Sequence, residues 1–175
     1  GLRITGVPTS ENTAARAREL QIPLATGVAT DLAIDGADEV DTGTLDLIKG
    51  RGGALLREKI VAGSSARFLV IVDQSKLVRQ LGAGPLPVEV VRFGWEATAR
   101  RIQDLGAVLQ RRDFITDNGN YILDCIFGPI EAPRSLAGDL DHITGVVEHG
   151  LFVGMAAEVH VGHPSGVRIL RQLAQ

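Results

Sequence analysis

One cysteine, one tryptophan and one tyrosine among 175 residues remove several classes of protein at once. Cys125 alone cannot build an internal disulfide framework, and its place in "YILDCIFG" marks it as a core residue of a strand. The cytosol is the natural compartment for such a chain. Aromatics make up 4% of the residues, which disfavours an aromatic-packed binding module. No apolar run approaches the roughly 18 residues of a membrane span, and no signal peptide opens the sequence. Lys and Arg number 18 against 21 Asp and Glu and are dispersed; with a formal charge of −3, no basic stripe recommends nucleic acid. Repeats and low-complexity tracts are missing too, so neither a solenoid nor a disordered arm is expected.

Glycine, by contrast, is plentiful at 21 residues, against a usual frequency of about 7%. With 45% hydrophobic residues, the chain suits one ordinary domain or a core domain carrying a small lobe. Gly1 stands where an initiator Met would, and strand-like "LRITGV" follows at once, so a fragment is expected. Residues 9–21 predict a helix capped by Thr9 or Ser10, and "IPLAT" and "DLAID" predict short strands. A Gly-rich turn then enters a helix within "LIKGRGGALLREKIVAGSSA", and the β-branched run "RFLVIVD" has the character of a strand buried on both faces. Strand and helix alternate, which implies a parallel, doubly wound sheet.

The prolines and glycines of "GAGPLPVEVV" mark a boundary. Beyond it come strand, helix, strand, a hairpin turn at "DNGN", strand, helix around "SLAGDLDHI" and one strand around "VVEHGLFV". This β-α-β-β-α-β order is the split unit of ferredoxin-like lobes. The reading is therefore α/β: a Rossmann-like, mostly parallel sheet domain over 1–83 plus 157–175, with a smaller ferredoxin-like α+β lobe over 84–156.

Chemistry concentrates near "DLAIDGADEVD", where Asp35, Asp38, Glu39 and Asp41 crowd the end of an apolar segment. Like charges oppose one another's ionisation, so such a cluster needs water, cations or a chemical use. Ligands of open α/β sheets gather beyond the carboxyl ends of strands. Asp35 ends one such strand; Asp73, with Lys76 just after it, ends another. Between them "KGRGG" places glycines ahead of a helix with Lys49 beside them, an oxyanion or phosphate site in outline. Glu58 has Ala54, Leu55, Val61 and Ala62 as helical neighbours, so an acid projects from an apolar face where desolvation raises its pKa. An ion pair of Glu58 with Lys59 or a distant arginine is the bland alternative.

"DGADEVD", "KGRGGALLREKIVA", "VDQSKLV", "PLPVEV" and "TDNGN" resemble, in that order, the signatures of ribose-5-phosphate isomerase type A. The resemblance implies an enzyme interconverting D-ribose 5-phosphate and D-ribulose 5-phosphate through an enediolate in the non-oxidative pentose phosphate pathway. It implies no cofactor and no metal, a small sugar phosphate as partner, and a homodimer or homotetramer in the cytoplasm, an organelle staying open. Glu58 matches the family's base, Asp35 and Asp38 its active-site aspartates and Lys49 its lysine. The substrate-contacting set comprises Asp35, Gly36, Ala37, Asp38, Lys49, Gly50, Arg51, Gly52 and Lys76. The family's phosphate-binding Gly-Ser/Thr loop is expected upstream of Gly1, together with the first strand and helix of the sheet, so these residues are expected to be catalytically incomplete.

Three rivals remain. A metal hydrolase lacks histidine support, since His142, His149, His160 and His163 lie far along the chain and form no recognised ligand helix. A CoA transferase relative would use its glutamate as nucleophile, against which the "DGAD" and "KGRGG" pair argues. A sugar-phosphate sensor would need a DNA-binding helical segment, and none is visible in the sequence.

Overall fold

Ser10 opens the first helix: its hydroxyl accepts the Thr13 amide at 3.0 Å, and α1 runs Glu11–Glu19 with Glu11 in the first turn and Arg16 and Arg18 in the last. Those charges complement the helix dipole. The computed structural model describes residues 3–172. Along the chain there follow β1 Ala33–Asp35, β2 Glu39–Asp41, β3 Leu47–Ile48, α2 Leu55–Gly63, β4 Phe68–Asp73, a 3-10 turn at Gln74–Lys76, and β5 Leu77–Val78. Then come β6 Leu86–Val90, α3 Trp95–Asp104, β7 Val108–Ile115, β8 Tyr121–Ile126, α4 Pro133–Asp141, β9 Val146–His149, β10 Leu151–Phe152, β11 Glu158–His163 and β12 Gly166–Arg171.

These strands form three four-stranded sheets. In the first, ordered β1-β4-β11-β12, the first three strands are parallel and β12 returns antiparallel at the edge. A small sheet, β10-β3-β2-β5, lies beside it. The third, β7-β8-β6-β9, is antiparallel throughout, and its β6-α3-β7-β8-α4-β9 sequence is the split unit that was expected. The mixed α/β class with a parallel sheet follows.

Three local expectations change. Around "LRITGV" and "IPLAT" the described residues give only an isolated parallel bridge, Gly6 to Leu24, because two short extended segments without further partners do not build a ladder; Leu2 lies outside the described residues. Strand β4 is buried on one face: Phe68, Val70 and Val72 pack with Val61 and Ala62 of α2, while Ile71 on the other face is 53% exposed. The expected strand over "VVEHGLFV" splits at Gly150, leaving β9 in the antiparallel sheet and β10 paired with β3. A Cβ at Gly150 would collide with the Lys49 carbonyl, so only glycine permits this close crossing.

Two apolar cores result. Val40, Leu47, Val70, Phe152 and Val159 centre the first; Leu86, Val88, Ile102, Leu123 and Leu140 centre the second. Cys125 lies in the second, where burial and then the Asp124 charge push its thiol up to about 12, leaving it unreactive. Among the described residues, no helix is long and apolar enough to cross a membrane.

Candidate active site

Strand β1 delivers Asp35 to the carboxyl edge of the parallel sheet, and Gly36, Ala37 and Asp38 turn the chain there before β2 begins. Asp35 Oδ1 accepts the Gly36 amide at 2.8 Å, and its Oδ2 lies 2.9 Å from Lys49 Nζ. Lys49 follows β3 and is 3% exposed. Its ammonium donates to the Gly36 carbonyl at 2.6 Å, sits 3.2 Å from Glu58 Oε2, and has the Phe152 ring centroid 5.5 Å away. One buried cation thus joins two carboxylates.

Glu58 lies in the first turn of α2, and its ionic partner is Lys49, not Lys59. Oε2 is buried and receives no aligned hydrogen bond; the Lys49 contact is an ion pair only. Burial raises the Glu58 pKa above the ordinary 4.5; Lys49 opposes the rise, while Asp35 and Asp38 add to it. Such a carboxylate is suited to exchanging protons nearer neutrality than a surface glutamate.

The "KGRGG" turn is fixed from two sides. Asp38 Oδ2 accepts the Arg51 amide at 2.9 Å, so that amide is not free for an anion as a Gly-rich turn would suggest. From β7, Arg112 donates to the carbonyls of Gly50 at 3.1 Å and Arg51 at 2.9 Å. Gly50 has φ +109°, and a Cβ there would stand 2.8 Å from Leu55 Cδ2, so the turn requires glycine at that point. Lys76 ends the 3-10 turn after β4 and makes no ion pair among the described residues.

The ten residues expected to act on or contact the substrate line one open cleft of about 250 Å³. Asp35, Gly36, Ala37 and Asp38 form one wall, Lys49, Gly50, Arg51 and Gly52 a second, and Glu58 and Lys76 complete it. Pockets for drug-sized ligands measure roughly 300–1,000 Å³, so this cleft suits a smaller, polar molecule. Asp35 and Glu58 also border a larger cavity of about 940 Å³ lined by Thr5, Val7, Thr9 and Ile34.

The four acids of the cluster divide. Glu39 is 5% exposed and accepts the amides of Gly82, Ala83 and Gly84, tying β2 to the segment ahead of β6. Asp41 Oδ1 accepts the Gly43 and Thr44 amides. Only Asp35 and Asp38 reach the cleft. The glycines of "LGAGP" were the available signal for the amide nest around Glu39.

His149 is 3% exposed, its Nδ1 accepting the Leu151 amide and its Nε2 lying 3.3 Å from Asp141 Oδ1. Burial, then the Lys59 charge, push it down to about 4, so it is neutral at pH 7. Asp141, Glu148 and His149 bring ligand atoms within 4.8 Å of one another. Lys59 Nζ, bonded to Glu148 Oε1 at 2.6 Å, already supplies the positive charge there.

The family model described as "Ribose 5-phosphate isomerase A (phosphoriboisomerase A)" matches residues 5–166. The chain is 56% identical to ribose-5-phosphate isomerase A of Synechococcus sp. (strain JA-3-3Ab), covering 98% of this chain and 79% of that protein. It is likewise 56% identical to the Gloeobacter violaceus protein of that name, covering 97% of this chain and 78% of the other. Ribose 5-phosphate isomerase from Plasmodium falciparum superposes with TM-score 0.90 at 40% identity, over 96% of this chain and 78% of that one. A D-ribose-5-phosphate isomerase in complex with phospho-erythronic acid gives TM-score 0.92 at 41% identity, over 97% and 78%.

Proposed function

The chain belongs to the ribose 5-phosphate isomerase A family, and on that premise we propose that Glu58 carries the proton between C2 and C1 of a sugar phosphate bound in the Asp35–Lys49–Glu58 cleft. As an isomerase of this family it interconverts D-ribose 5-phosphate and D-ribulose 5-phosphate. A relative holding phospho-erythronic acid supports a phosphorylated polyhydroxy chain as the occupant of the cleft.

In the aldose-to-ketose direction, Asp35 and Asp38 hold the sugar hydroxyls and assist ring opening. Glu58 removes the C2 proton; the C–H electrons form the C1–C2 double bond, and O1 takes the negative charge of an enediolate. The Glu58 carboxyl, in exchange with solvent, then delivers a proton to C1 as O2 loses its own to become the ketone oxygen, and a proton is passed to O1. Reactant and product are isomers, so no net oxidant or reductant is consumed. General acid–base catalysis of this kind contributes about 10²–10⁴-fold. The Lys49 charge supports the developing oxyanion, an effect worth about 3–4 kcal/mol for a well-placed group. Lys76, without an anionic partner among the described residues, attracts the substrate's charge.

One observation carries the reading: a carboxylate raised by burial shares one lysine with a second carboxylate at the mouth of a polar cleft. The proposal includes the division into residues 1–83 plus 157–175 and 84–156, supported by the two cores, and a homodimer or homotetramer in the cytoplasm, supported by the resemblance. The test is incubation of the gene product, purified from its host, with ribose 5-phosphate in D2O. NMR should show ribulose 5-phosphate with deuterium at C1, because the protonated Glu58 carboxyl at the open cleft exchanges with solvent before C1 is protonated; ketose formation without any solvent deuterium, undiminished in Glu58→Gln, would argue for direct hydride transfer instead.

A further inference from the structure

We propose that the antiparallel unit of residues 84–156 positions Glu58 by gripping α2 through the two residues that flank it, Arg57 and Lys59. The inference rests on Glu58 being the base. Successive helical residues point about 100° apart, so with Glu58 directed at the cleft its neighbours diverge to either side. Each meets a different part of the antiparallel unit.

Arg57 reaches the β7–β8 hairpin. Its Nε donates to Asn118 Oδ1 at 2.9 Å and a terminal nitrogen to the Asp117 carbonyl at 3.1 Å. Asn118 is itself held from below, because its Nδ2 donates to Glu89 Oε1 at 3.1 Å. Thr116 and Asn120 donate to the same oxygen, each at 2.9 Å. Glu89 is 0% exposed. This buried acceptor gives "PLPVEV" and "TDNGN" a shared purpose: the first supplies Glu89, and the second wraps three side chains around it to present Asn118 to Arg57.

Lys59 reaches the segment after α4. Its ammonium donates to Glu148 Oε1 at 2.6 Å and the His149 carbonyl at 2.7 Å, with the Phe152 ring centroid 5.0 Å away. The same stretch holds Lys49, whose amide donates to the Gly150 carbonyl at 2.8 Å. Residues 148–152 therefore carry both the helix bearing Glu58 and the backbone of its ionic partner. The 3.2 Å separation of Glu58 and Lys49 is set by this common support.

Positioning and mere stability predict different data. A misplacement of about 1 Å can cost about 10²-fold in rate, and residues acting through one group are non-additive with its removal. Asn118→Ala, Glu148→Gln and Lys59→Met should each lower kcat about ten- to hundredfold with KM within about twofold, in protein shown by thermal denaturation to be folded at the assay temperature. Added to Glu58→Gln, each should cause less than about a twofold further loss. If Lys59→Met fails to fold, the other two variants decide. Folded variants with unchanged kcat, or full additivity with Glu58→Gln, would overturn the inference while leaving Glu58 as base. A Glu58→Gln protein of normal activity would overturn both.

Discussion

Replacing Lys49 by Met keeps the buried stem and removes the charge that Asp35 and Glu58 share. Breaking a buried ion pair from one side costs about 3–5 kcal/mol. Here the Asp35 side chain is 34% exposed, so water screens part of the loss, while Glu58 at 14% remains poorly solvated. A destabilisation of about 2–3 kcal/mol follows, which for a chain of this size lowers Tm by about 5–10 °C. Catalysis should suffer more, since loss of one preorganised electrostatic group costs about 10²–10³ in kcat. The pH profile supplies an independent sign. Lys49 holds the Glu58 pKa down against burial and the aspartates; without it the pKa rises further, and because the base must be deprotonated, the acid limb of kcat/KM moves to higher pH. The assay is the initial rate of ketose formation from pH 5 to 9, beside thermal denaturation at each pH. A folded variant whose acid limb stays in place or moves down would refute this electrostatic reasoning.

The raised pKa of Glu58 also has a stability consequence: its contribution is fully present below the ordinary 4.5 and is lost as pH rises through the higher folded value. Glu58→Gln removes that loss, so Tm of the variant minus Tm of the parent should be more positive at pH 7 than at pH 4; the opposite order in paired denaturation scans would contradict it. Lys76→Gln should raise KM about tenfold or less, with little change in kcat and with a smaller dependence of KM on salt than the parent shows; a purely kcat effect would argue against a role in attraction. Activity should survive EDTA, since an ammonium occupies the space between Asp35 and Glu58; loss on chelation with recovery on adding a divalent cation would contradict the mechanism.

The cleft was legible because its residues are close in sequence or follow a helical period. Asp35 and Asp38 straddle one turn, and the apolar neighbours of Glu58 at three and four residues mark a buried acid. Identity of the partners was less accessible. Lys49 and Lys59 are equally basic, and only the folded chain sends one to Glu58 and the other to Glu148. Strands β2, β3 and β5 have two or three residues each, too short for alternation to show. The break at Gly150 depends on the Lys49 backbone about a hundred positions earlier, and the role of Glu39 was hidden because the donors to its carboxylate are backbone amides of a distant turn. In "LREKI" the charged residues flanking Glu58, Arg57 and Lys59, are the sequence signal for the supports on either side of it.

The central claim is that Glu58 moves the C2 proton, and Glu58→Gln tests it most directly because the amide keeps the side chain's size but cannot accept a proton at neutral pH. Exchange of the ribose 5-phosphate C2 proton with D2O is followed by NMR while binding of the sugar phosphate is titrated calorimetrically in the same preparation. The expected result is exchange reduced at least about 10²-fold with Kd changed by less than about fivefold. Near-normal exchange in the bound variant would contradict the assignment.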